Sequence, residues 1–355
     1  GISGAGLNVK AFYTRRTQAL VANGSVQIGT STLRILADID VDVEAEVTNV
    51  GVSLGSVSVI LLEASTQSAD GSAKAEVIAG IGDAADVDAG LVDIDADALT
   101  DVTADAASVT VTLIGVQLTD VQAKDRTYVE AHIGPARAAA RTGTATDVVG
   151  SAGVQVDAVH DGTTLAENDA TNVGIGVAVN DDAPGGATKA DSASTVRVAL
   201  GTDAKASAGS TALVFRAQGK TNAVGYGLGV SASVLGSYSG IEVEAILSTT
   251  VQAVTVSGGS LTGSSVTLHT LLNKTTSGSD VTHTYDGDSV VPAYAKVTNG
   301  SGGLIVGASG GEARATSSPT VLTHVGTGTT VTATAGDANL DADALVKAYA
   351  DGPVS

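Results

Sequence analysis

The segment Ala73–Ala98, AKAEVIAGIGDAADVDAGLVDIDADA, sets a pattern to which the rest of the chain returns. Ala73, Ala75, Val77, Ala79 and Ile81 share one parity, with Lys74 and Glu76 on the other. A small polar turn, Gly82–Gly90, follows. Alternation then resumes with Val92, Ile94, Ala96 and Ala98 on one face and Asp93, Asp95 and Asp97 on the opposite one. Successive Cβ atoms of a strand point to opposite faces, so a period of two marks half-buried strands. Within the segment lies a phrase: a valine, an aliphatic residue four positions on, and then a glycine. It recurs at Val77–Gly82, Val129–Gly134, Val196–Gly201 and Val321–Gly326, with a degraded copy at Val251–Val256 and a weaker one at Leu20–Gly24.

Spacings between successive phrases are 52, 67, 55 and 70 residues from Val77 onward, so the repeat tolerates insertions. These fall at Arg137–Ser151, Asp161–Ala170, Asn180–Ala193 and Thr275–Val291. Strands are expected at Gln18–Ala22 and Thr32–Ile39, and DIDVDVEAEV (Asp38–Val47) alternates strictly, with acids on one side. At Val50–Leu62 the aliphatic parity slips by one residue near Gly55–Ser56, and Val109–Leu118 slips in the same way. A β-bulge that restores the apolar face after an extra residue accounts for both. No segment keeps a 3.6-residue apolar period. Only Pro135–Arg141 and Ala338–Ala350 have a composition that competes as helix.

Repeating three-strand units that cannot bury their own apolar faces are expected to stack. The expected fold is therefore all-β, a parallel β-solenoid of about six degenerate units: 1–47, 48–108, 109–171, 172–230, 231–292 and 293–355. Tandem small β-sandwiches are the alternative. They usually need aromatic anchors, and aromatics make up only 3% of this chain, with no Trp. The core must come from Val, Ile, Leu and Ala, and small side chains imply facing sheets set close together.

The formal charge of −20 disfavours nucleic acid and anionic membrane surfaces, and favours diffuse cation binding. No run of about 18 apolar residues is present to insert into a membrane. There is no Cys for thiolate chemistry, and no Met, as expected of a processed chain or an excerpt of a longer one. Two G-x-S-x-G matches, Gly51–Gly55 and Gly307–Gly311, lack the strand-to-helix turn that makes such a serine a nucleophile. Asp337, Asn339 and Asp341 open a calcium-loop pattern. Ala342 and Ala348 then occupy the positions that need Gly and Glu, which favours a turn leading into an acid-lined strand. Stacked acidic ladders (Asp93, Asp95 and Asp97; Asp38, Asp40 and Asp42) are separate candidates for loosely bound Ca²⁺, because a divalent cation relieves their repulsion. The histidines, His132, His160, His269, His283 and His324, show no paired ligand spacing. His132 and His324 fall on the outward face of their phrases, as surface polar residues would. Asn23, Asn273 and Asn299 open glycosylation sequons.

The closing stretch Ser317–Ala344, SSPTVLTHVGTGTTVTATAGDANLDADA, resembles the repeats of large bacterial surface proteins of the filamentous-adhesin type, and Ala73–Ala98 and Thr127–Val159 echo it. Thr250–Asn273 departs by lacking the glycine. The resemblance implies an exported, extended β-solenoid at the cell surface or outside the cell, working as adhesin, stalk or filament material, with no catalytic residue. Self-association, or continuation into further repeats along the stacking axis, is expected because neither end reads as a cap. A solenoid that binds glycans or a host surface through its insertions is the second expectation, and a polysaccharide-acting enzyme the third.

Overall fold

The computed structural model describes residues 2–135, 144–183 and 186–352. Among them there is no helix. The chain is all-β, and its two large sheets are parallel. The phrases form the smaller one. Arg16–Val21, Glu76–Ile81, Tyr128–Ile133, Thr195–Leu200, Thr250–Thr255 and Thr320–His324 lie side by side in chain order. Their register is continuous: Thr17, Val77, Val129, Val196, Val251 and Val321 stand in one column. The phrase register therefore holds, including the degraded copy. The first member begins at Thr17 and not at Leu20, because Thr17, Ala19 and Val21 supply its inward parity.

Each phrase is followed by a turn, a short strand and a long extended run, and every one of these lies on its counterpart in the next layer. Thr32–Ser65 pairs along its length with Ala85–Asp125, which pairs in turn with Asp147–Asp182. Asp161–Ala170 belongs to this wall and is not an insertion. The candidate helix Ala338–Ala350 is also extended, as strands Ala338–Ala344 and Ala348–Asp351. The other, Pro135–Arg141, lies almost wholly outside the described residues.

The interior has three zones. Near the phrases it is apolar: Val77, Val129, Val196 and Val251 are sealed against Val92, Ile94 and Val156 in one cluster. Each such burial contributes about 1.5–3 kcal/mol. Next comes a file of buried polar side chains. Beyond it the long run extends outward and folds back as a thin arm. In the fourth layer, a Cβ on Gly225 or Gly227 would come within 2.7–2.8 Å of Val243 methyls on the returning run. Alternate glycines there let two walls meet closer than side chains allow, which is the thin core expected from composition.

At the arm tip the side-chain polarity is reversed. Ser108, Thr110 and Thr112 point inward, while Val109, Val111 and Leu113 are 42–44% exposed. Val50, Val52 and Leu54 in the layer before are more exposed still, and Val173, Ile175 and Val177 follow in the layer after. Asn172 Nδ2 donates to the Gly115 and Val179 carbonyls at 3.1 and 3.0 Å, and Asn180 Nδ2 to Ala170 and Val230 at 2.9 and 2.6 Å. These amides tie outgoing run to returning run. The ladder register shifts between Thr112 and Ile114, where the parity slip falls. The slip is thus the tip of the arm. It keeps small polar residues inside and aliphatic ones outside, the opposite of the apolar inner face expected from sequence. Serine and threonine side chains line the gap, and the aliphatic ones face outward and stack on their own kind along the layers.

Candidate functional site

The insertion after Asn273 folds into a short antiparallel hairpin, His283–Tyr285 against Asp288–Val290. Its two-residue turn is Asp286-Gly287, with φ of 48° and 81°. Positive φ at both central positions is the type I′ geometry that Asp-Gly favours in hairpins. The hairpin stands over the outer surface of the third, fourth and fifth layers and encloses a cleft of about 630 Å³.

Register assembles the opposite wall. Glu167, Tyr226 and Lys296 are consecutive members of one column; Leu165, Val224, Tyr294 and Tyr349 form another. The Tyr226 and Tyr285 rings are 5.8 Å apart and tilted by 38°, while Tyr294 stacks on Tyr349 at 5.9 Å and 10°. Lys296 Nζ lies 5.9 Å from the Tyr226 ring centre. Four of the seven tyrosines thus gather at one insertion. Burial, with neighbouring Asp105 and Asp169, raises the Glu167 carboxyl above its ordinary range. A hydrogen bond from Tyr285 partly offsets this. Burial alone raises Asp169, whose Oδ1 is shielded from solvent and has no hydrogen-bond partner.

The acidic ladders continue this wall toward the first layers. Asp38, Asp97 and Val159 share a column, as do Leu36, Asp95, Asp157 and Arg216. Arg34 reaches Asp93 and Asp95 at 3.5 and 3.3 Å, and Arg216 reaches Asp157 at 3.0 Å. Burial first, then Asp95, Asp38 and Asp157, push the Asp97 carboxyl up to about 6. Among the described residues no group of three or more His, Asp or Glu side chains is arranged to hold a metal ion. Asp337 ends a turn, and Asn339 and Asp341 lie exposed on the strand Ala338–Ala344, so this segment is the acid-bearing strand and not a loop.

The sequon residues differ sharply. Asn23 is exposed in a turn. Asn273 is fully buried, with its Oδ1 accepting from Thr221 N at 2.9 Å and lying 3.1 Å from His283 Nε2, which leaves no room for a glycan. Asn299 turns toward the Gly310 carbonyl. Ser53 of the first G-x-S-x-G match sits inside the arm tip, and Ser309 of the second lies within the strand Val306–Ser317.

His324 is exposed, but His132 is 2% exposed, contrary to the surface role read from its parity. Both faces of the phrase sheet are covered in the middle layers. The His132 ring lies over Gly80 of the layer before, where a Cβ would meet it at 2.6 Å. Burial depresses its pKa. Beside it, Glu130 and Arg197 form a buried ion pair in adjacent layers, and Tyr128 Oη donates to Glu130 at 2.8 Å. Glu130 and Arg197 do point away from the common interior, but they are buried on the far side of the sheet.

His160 is the histidine whose partners the sequence does not disclose. Its Nε2 is 2.9 Å from Thr100 Oγ1 and 3.4 Å from Asp125 Oδ2, and its Nδ1 is 3.0 Å from Ser194 Oγ. A serine, a histidine and an aspartate thus lie together, but on the ring nitrogens opposite to those of a hydrolase triad, and Asp125 Oδ2 makes no hydrogen bond. All three are at most 1% exposed, so no substrate reaches them. They belong to the buried polar file. Thr66 and Thr127 donate to Asp125 at 3.0 and 2.7 Å, and Ser194, Thr249 and Thr221 continue it at 3.3 and 3.0 Å toward Asn273 and His283. Each layer supplies one or two hydrogen-bond partners to the next, while Asp125 Oδ2 and Asn273 Nδ2 are buried without one.

Comparison with known proteins adds no relative: no family model, no curated protein and no solved structure matches the chain.

Proposed function

We propose that the chain is a β-solenoid segment of an extracellular or cell-surface protein, serving as adhesin stalk or filament material. One observation carries this reading: six phrase strands stack in chain order in a single register, each hydrogen-bonded along its edge to the next. Such a unit gains stability from its neighbours and length from repetition, which suits it to spanning distance. The likeness of Ser317–Ala344 to filamentous-adhesin repeats supports the same reading. The strands Ile2–Phe12 and Ala338–Ala344 each pair on one side only among the described residues. Edges of that kind accept a further strand, so the partner proposed here is another layer of the same architecture.

Antibodies raised against the purified chain should label intact cells of its source. Negative-stain images of concentrated protein should show growth along the stacking direction, with a repeat of about 4.8 Å in fibre diffraction. Labelling only after lysis, together with discrete particles at every concentration, refutes the proposal.

A further inference from the structure

The stalk reading leaves the hairpin over Tyr226 without a purpose. Its cleft lies within the size range of small-molecule sites, about 300–1,000 Å³. We infer that this cleft binds an organic ammonium group, held between the Tyr226, Tyr285 and Tyr294 rings and the carboxylates of Glu167, Asp169, Asp286 and Asp288.

Three features of the lining point to that chemistry. The first is charge: four carboxylates face one ammonium, that of Lys296, so the cleft lacks cations. The second is the kind of polar group present. Ionised carboxylates only accept hydrogen bonds, so the matching occupant is a donor. The third is the rings. Aromatic faces attract cations through their quadrupoles, more strongly as water is excluded. Lys296 Nζ, 5.9 Å from the Tyr226 ring centre, is the chain's own ammonium beside this wall. A neutral sugar would use the rings but leave the charge unbalanced. An inorganic cation would use the carboxylates but leave the rings idle. The group could be carried by a small free cation or by an amino sugar.

Calorimetric titration of the whole chain separates these cases, with choline, glucosamine and N-acetylglucosamine as probes at constant ionic strength. Choline or glucosamine should bind, and N-acetylglucosamine, which lacks the charge, should bind at least tenfold more weakly. The tighter of the first two identifies the carrier. Tyr285→Leu and Glu167→Gln should each weaken binding tenfold or more. Asp288→Asn, at the hairpin rim, should weaken it less while leaving the fold intact by circular dichroism, which keeps the result interpretable if another variant misfolds. Equal binding of N-acetylglucosamine and glucosamine identifies a neutral-sugar site and overturns the inference. So does heat release by choline no greater than that by sodium, or binding that survives Glu167→Gln and Asp288→Asn unchanged.

Discussion

Val129 and Val52 occupy equivalent places in a period-two pattern, yet the structure assigns them opposite environments. Val129 is fully buried between Val77 and Val196, whereas Val52 is 81% exposed at the arm tip. Replacing each with Asp is therefore a test of which way the strands face. At Val129 the loss has two parts. Removing the buried methyl groups costs about 1.5–2 kcal/mol. Leaving a carboxylate in an apolar layer without a partner adds several kcal/mol more, even after the group takes up a proton to escape the charge. A total near 4–5 kcal/mol is a large part of a normal domain's stability, about 5–15 kcal/mol. At Val52 the same change should stay within about 0.5 kcal/mol. Urea denaturation followed by circular dichroism reads both: the Val129→Asp midpoint should fall steeply, and the Val52→Asp curve should overlay the parent. If Val52→Asp proves as damaging as Val129→Asp, the inverted polarity of the arm is wrong.

The acidic wall gives a pH dependence of definite sign. Asp97 is raised to about 6 and Asp182 to about 7, chiefly by burial, so the native state keeps protons that the unfolded chain has released between about pH 4 and 7. Melting temperature should fall from pH 5 to pH 8, and a rise across that range would contradict the burial of these carboxyls. Calcium at pH 8 should restore more of that loss than sodium at equal ionic strength, with Asp97→Asn reducing the difference; equal restoration would leave only screening. Gly227→Val should destabilise by about 1–3 kcal/mol by forcing the arm walls apart, while Gly302→Ala, where a new Cβ meets nothing within 4 Å, should be neutral or slightly stabilising in the same melts. Ser194 should resist a fluorophosphonate probe in the native state, since it is sealed with its partners; labelling of folded protein would show that the polar file opens.

Period-two alternation tells strand from helix, and the glycine-ended phrase gives the register of four strands, with Val251 of the degraded copy in the same column, while the first member at Leu20 is out of register. What alternation cannot supply is the inward direction. Val111 and Val92 look alike in sequence, and only their place along the run, at the arm tip or beside the phrases, decides that one faces solvent. His132 was legible as lying off the inner face but not as buried, because a strand with cover on both sides shows no polar face. Asp125, His160 and Ser194 meet because two layers stack and the run of the second folds back, and nothing in their spacing of 35 and 34 residues marks them. The tyrosine cleft was hidden for a related reason. Aromatics are only 3% of the chain and are scattered in sequence, but register and one insertion concentrate four rings at one place.

The long in-register walls also govern how the molecule responds to being pulled. Hydrogen bonds between layers run along the stacking direction, so tension on a terminal strand reaches the stack through a single corner connection. Load concentrates on the nearest few bonds and the layer peels away progressively, while the remaining layers stay intact. The 52-residue step from Val77 to Val129 occupies about 4.8 Å of stack height. Drawn out, the same segment spans about 180 Å. Each layer is therefore a reserve of slack roughly thirty-five times its stacked height, released one coil at a time, so the chain under load lengthens in steps and does not snap.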